Sequence, residues 1–311
     1  MSNLRRSLMY VIPIIIMSIG FGFFGADKVA GQSQQTVVHV EAMDHAFDVD
    51  APNELPTGWI TFIFNNEIAN NIHEISLVQL PDGVTHEEYL TDYMIAWETL
   101  LREYQEGVVE RSGINERVNE MLPAWSGDVR YANARGMVSI GRTAERTSYL
   151  VPGKYMKVCW MKTEDGIIHI MEGMHWEFTV ADDAANSPEP NPEARIILHE
   201  KEIEVDWEPQ TGKHAFELKL SPNQAGRSYH NNVHLVRMED GTDLDKVNEW
   251  MDWYKIGGLR SPSPVEFLGG LGYISDVDTA YFGLNISEPG DYAWVVYVPR
   301  GQGLYKTFTI D

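Results

Sequence analysis

The chain has 311 residues, 46 acidic against 24 basic side chains, a formal net charge of −22 and one cysteine. That charge balance repels nucleic acid and anionic lipid, and it favours solubility or a partner with a basic surface. A single thiol excludes an intramolecular disulfide, so stability has to come from core packing.

The first 31 residues place Arg5 and Arg6 ahead of an apolar run from about Leu8 to Phe24, followed by Val29-Ala30-Gly31. This order predicts a secretory signal peptide, with an uncleaved N-terminal anchor as the alternative because the run is long enough to span a bilayer. Either reading puts the folded part outside the cytoplasm, periplasmic or extracellular. A membrane enters only through that segment.

From residue 32 onward the signals are those of short strands bounded by Gly, Pro, Asn and Asp. PTGWITFIFNN (56–66) alternates Ile60, Phe62 and Phe64 on one face, the period of a half-buried strand. ISLVQLPDGVTHEEYL (75–90) reads as a strand, an acidic-Gly turn and a helix start, with Thr85 and Glu88 at capping-box spacing. Leu90, Tyr93, Met94, Trp97, Leu100, Leu101, Tyr104 and Val108 follow one helix face and predict a helix over about 86–108, with a second near 114–121. These helices form an insertion at about 85–125. Their polar face is acidic, which argues against a membrane-surface helix.

VPGKYMKVCW (151–160) and HWEFTV (175–180) close the first unit, and ADDAANSPEPNPEA (181–194) predicts a linker. Residues 195–311 then repeat the order. QTGKHAFELKL (210–220) answers to 56–66, VHLVRMEDGTDLDKV (233–247) to 75–90 with a weaker Thr242–Asp245 cap, and EPGDYAWVVY (288–297) to 151–160. Two copies of one unit follow. The expectation is a mainly β chain of two Greek-key sandwiches, residues 32–180 with the helical insertion and residues 195–311.

The lone cysteine stands in CWMKTEDGIIHIMEGM (159–174), which also supplies His169 and Met174, while NNIHEISLVQL offers His73 just ahead of a strand. A thiolate, two imidazoles and a thioether are the donors that select copper. Each residue also has a structural reading: Cys159 as a buried small hydrophobe, His169 as a core histidine, Met174 as a core plug, His73 as a turn cap.

In this order and setting the first repeat resembles a cupredoxin of the plastocyanin and azurin superfamily. The resemblance implies His73, Cys159, His169 and Met174 as ligands of a single copper per chain, with Met174 as the weak axial donor. It implies a one-electron carrier with a redox protein partner. The nine-residue gap between Cys159 and His169 is longer than in plastocyanin or azurin, whereas the His-x4-Met spacing matches plastocyanin's. An alternative of another class is a copper-holding or protein-interaction module without a redox role.

The second repeat carries Val296 where the first has Cys159, and no histidine follows it, so it is expected to be metal-free. His230 and His234 read as turn or strand histidines. No His-x-His pair occurs, Val158 precedes the cysteine where a nitrite reductase of the superfamily needs histidine, and no Ser/His/Asp order is recognisable. GGLGYIS (269–275) precedes strand patterns rather than a helix, against a phosphate loop. The expectation is a chain without enzymatic activity.

Overall fold

The computed structural model describes residues 36–131, 136–185, 187–222, 231–272, 279–298 and 303–311. The N-terminal segment 1–31 and His230 lie outside the described residues. No helix among the described residues is long and apolar enough to cross a membrane. The described residues form one compact unit.

The first repeat runs β1 Thr36–Ala42, β2 Phe47–Asp50, β3 Glu54–Asn66, β4 His73–Gln79, then helices, β5 Arg130–Tyr131, β6 Gly136–Val138, β7 Arg142–Leu150, β8 Gly153–Val158 and β9 His175–Ala184. The second runs β10 Ala194–Leu198, β11 Ile203–Asp206, β12 Gly212–Leu220, β13 Val233–Met238, one helix, β14 Glu266–Leu271, β15 Thr279–Ile286, β16 Gly290–Val296 and β17 Leu304–Ile310. Each repeat pairs its first and third strands in parallel, β1 with β3 and β10 with β12. Ile60, Phe62 and Phe64 are buried, as are Phe216 and Leu218, so the period-two alternation is the inward face of β3 and β12.

The turn glycines repeat as closely as the strands. Gly58 and Gly212 both have φ of 122°, Gly83 and Gly241 82° and 84°, and Gly153 and Gly290 151° and 150°. Tyr155 donates its hydroxyl to the Val151 carbonyl at 2.9 Å, and Tyr292 does the same to Glu288 at 2.7 Å. These coincidences fix the alignment that sets Val296 opposite Cys159.

Three features differ from the sequence expectations. The strand β9 extends to Ala184, into the predicted linker, because Leu55, Pro56 and Thr57 pair with Val180, Ala181 and Ala184. The first insertion helix is α1 His86–Glu88, a π-turn Tyr89–Met94 and α2 Ile95–Gln105, followed by α3 Ile114–Met121. Its capping box forms, with Glu88 N–H donating to Thr85 Oγ1 and Thr85 N–H to the Glu88 carboxylate. In the second repeat α4 Leu244–Trp250 is capped instead by Asp243, which accepts from Asp245 and Lys246, while Thr242 accepts from Glu239 in the preceding turn.

The third feature is the junction. β7 of the first repeat pairs with β15 of the second, Tyr281 opposite Thr147 and Leu284 opposite Ala144, so one sheet runs through both halves. β14, β13, β16 and β17 form the second sheet. Arg146 on β7 is buried at this seam and donates to the carbonyls of Ile75 and Gly270, both at 3.2 Å. A side chain at Gly136 would sit 2.5 Å from the Gly270 carbonyl, so glycine permits the approach of β6 to β14.

Candidate metal centre

His73 opens β4, and Cys159 directly follows β8, its neighbour in the sheet, where Ser76 pairs with Val158. After Cys159 the chain loops out and returns through a 3-10 turn at His169–Glu172. Gly173 closes that turn at φ of 106°, a left-handed value that glycine adopts without strain, and reverses the chain into Met174 and β9. The backbone laces the loop to itself. Cys159 N–H donates to the Met174 carbonyl at 3.2 Å, Met174 N–H to His169 at 3.0 Å and Ile170 N–H to Cys159 at 3.1 Å.

This geometry brings His73, Cys159 and His169 together, their donor atoms all within 4.8 Å of one another and all three residues buried. Cys159 Sγ lies 3.8 Å from His73 Nδ1 and 3.6 Å from His169 Nδ1. Met174 is also fully buried and is tied to Cys159 through its carbonyl.

Whether these donors fit a metal can be tested on the distances. Bonds of about 2.0 Å to nitrogen and about 2.3 Å to sulfur from one ion span such separations at about 115–125°, the opening of a trigonal His₂Cys set. Electrostatics agree with the donor role. Burial lowers His73 to about 3, with the neighbouring His169 adding to the effect, and burial lowers His169 to about 4 with His45 adding. Both imidazoles are therefore neutral at physiological pH, each with one unprotonated ring nitrogen.

Residues that the sequence reading missed surround these four. His45, exposed in the turn after β1, sets its ring 5.7 Å from that of His169. Asp44 beside it accepts from Asn70 N–H at 2.7 Å, which holds its carboxyl below the usual range. Glu74 accepts from Trp160 N–H at 2.9 Å, and Glu98 of α2 from Ile168 N–H at 3.3 Å. Glu74 adjoins His73 in the sequence; His45 and Glu98 have no such signal. In the second repeat Asn231 stands opposite His73, and His234 packs its ring against Phe267.

Lys162 sits in the loop with its ammonium buried and donates to the carbonyls of Trp253 at 2.8 Å and Lys255 at 2.7 Å. Burial, with the Arg260 charge adding, lowers it to about 7. Between pH 7 and the usual lysine range the unfolded chain binds more protons at this position than the folded one, so folding stability rises with pH across that window. Urea midpoints at pH 7 and pH 9 are expected to show a rise in the wild type that is smaller in Lys162→Met. Equal slopes in the two proteins would contradict the assignment.

No family model and no curated protein matches the chain. Among solved structures it is similar to the dithionite-reduced auracyanin of Roseiflexus castenholzii, at 20% identity over 48% of this chain and 99% of that one, TM-score 0.28. It is also similar to a blue copper oxidase from Nitrosomonas europaea, at 11% identity over 89% and 86% of the two chains, TM-score 0.25. The copper nitrite reductase of the same organism shows 14% identity over 90% and 94%, TM-score 0.24. The expectation of a chain without enzymatic activity is withdrawn, since the latter two are enzymes. At these TM-scores no activity carries over to this chain, and the site stands on its own geometry.

Proposed function

We propose that this chain is a cupredoxin-type copper protein acting outside the cytoplasm, with one mononuclear centre that exchanges single electrons with a redox partner. The observation that carries this reading is the buried convergence of one thiol and two neutral imidazoles within 4.8 Å. Copper, when bound there, supplies a one-electron couple. Cys159 would hold it as thiolate, His73 and His169 through Nδ1, and Met174 as a weak fourth donor.

The protein's own contribution is a fixed, dry donor set. All four residues are at most 2% exposed, which keeps bulk water from the thiolate and limits rearrangement between oxidation states. The acidic surface favours a partner with a basic face. The N-terminal sequence supports export.

Adding copper(II) to the metal-free protein is expected to give an intense visible thiolate-to-copper band that saturates at one copper per chain. Two equivalent coppers by elemental analysis would refute the reading of Val296 and Asn231 as positions without ligands. Copper bound without that band would favour a holding role over electron transfer.

The axial position gives a separate prediction. Met174→Leu is expected to keep copper at one per chain and to raise the reduction potential, because losing the weak donor disfavours copper(II) while three strong ligands remain. Spectroelectrochemical titration checks it; a lowered potential would remove Met174 from the donor set.

A further inference from the structure

Nine residues separate Cys159 from His169, and a free loop of that length would leave the spacing of two donors to chance. In this chain the loop is held at both ends and in the middle. At its start Trp160 N–H donates to the buried Glu74 carboxylate of β4 at 2.9 Å. At its end Ile168 N–H, one residue before His169, donates to Glu98 of α2 at 3.3 Å.

The middle of the loop is bound to the second repeat. Lys162 N–H donates to the Leu259 carbonyl at 2.9 Å, and its ammonium donates to the Trp253 and Lys255 carbonyls. Trp253 returns a bond from its indole N–H to the Trp160 carbonyl at 3.1 Å, and Arg260 donates to the Glu164 carbonyl at 2.8 Å. The indole rings of Trp160 and Trp253 meet edge to face at 5.9 Å.

The receiving segment is itself built rather than slack. Trp250 donates its indole N–H to the Arg260 carbonyl at 2.9 Å, and Leu259 N–H donates to Trp250 at 2.9 Å. Leu259 has φ of 50°, left-handed for a branched residue, and a side chain at Gly258 would meet the Asp252 carbonyl at 1.9 Å. Such a conformation persists only where the surroundings over-determine it.

We propose that residues 250–260 of the second repeat, together with Glu98 of the inserted helix, form an outer clamp that fixes the Cys159 to His169 span, with Trp253, Lys162 and Glu98 as positioning residues for the metal centre. This rests on the copper reading above and adds to it a task for the half of the chain that has no ligands. The clamp acts through main-chain bonds to loop residues, so its loss would alter the centre without touching a ligand.

The test uses the full chain loaded with copper and three variants: Glu98→Ala, Glu98→Gln and Trp253→Phe. Outer partners of metal ligands change affinity by about 10–100-fold when removed. Glu98→Ala and Trp253→Phe are expected to release copper to excess EDTA about tenfold faster or more, with shifted visible and EPR spectra and a changed potential, at unchanged far-ultraviolet circular dichroism. Glu98→Gln keeps an acceptor oxygen for Ile168 N–H and is expected to stay near the wild type. Amide hydrogen exchange of 160–168 in the metal-free protein is expected to quicken in Trp253→Phe.

Wild-type release rates, spectra and exchange in both Trp253→Phe and Glu98→Ala would overturn the clamp. Should Glu98→Ala not fold, Trp253→Phe decides alone. If the wild type takes up no copper, the copper reading falls, and quickened exchange in Trp253→Phe would then support only the mechanical half of the proposal.

Discussion

Replacing Cys159 with serine is expected to abolish the visible band and to weaken copper binding beyond the about 10–100-fold that loss of an outer partner costs. The thiolate is the donor that no other residue can replace, since Cys159 is the chain's only cysteine. A hydroxyl is a harder and far less acidic donor, so it leaves the two imidazoles without their soft partner. The fold should survive, because the change removes little volume and a typical single substitution costs about 1 kcal/mol. Circular dichroism and an absorption titration on the same sample separate the two effects. A band of unchanged intensity in Cys159→Ser would make the residue a buried structural thiol, and the electron-transfer reading would fall with it.

The second large effect lies away from the ligands. Arg146→Met is expected to destabilise the protein by about 3–5 kcal/mol, since it leaves two buried carbonyl acceptors without their donor at about 1–3 kcal/mol each. Burial lowers the Arg146 guanidinium to about 10, and the nearby Glu74 opposes that shift. Its two bonds reach Ile75 in the first repeat and Gly270 in the second, so methionine would remove a donor from both halves. For a chain of this size the melting temperature should fall by about 10 °C. Loss of less than about 1 kcal/mol would mean that another donor or water takes over the two carbonyls.

What the sequence made legible follows from the range of each interaction. Strand positions and the repeat were readable because turn glycines and period-two alternation act over a few residues, as the matched φ values at Gly58 and Gly212 bear out, and the resemblance named the three residues His73, Cys159 and His169 that the fold brings together. The Asp243 cap was missed by one residue, since Thr242 and Asp243 both suit a helix start. Nothing local marks the π-turn at Tyr89–Met94, nor the fully buried Lys157, whose amine lies 3.6 Å from the centre of the Phe62 ring and is pushed far below its usual value by burial. The clamp was out of reach for the same reason. No spacing relates Glu98 to Ile168 or Trp253 to Trp160, and the second pair meets only when both repeats are present.

The sheet that joins β7 to β15 also has a bearing on how the chain can be made. Thr147 finds Tyr281 across more than a hundred intervening residues, and Lys162 finds Leu259 across nearly as many. Contacts of that separation slow folding and keep unpaired strand edges open meanwhile. The first repeat alone would emerge from synthesis with β7 unpaired along one side and the middle of the Cys159 to His169 loop without its bonds to residues 250–260. On the clamp proposal the Cys159 to His169 loop gains its outer support only once residues 250–260 have been made, so a chain cut short before about residue 260 would carry the proposed donors without that support.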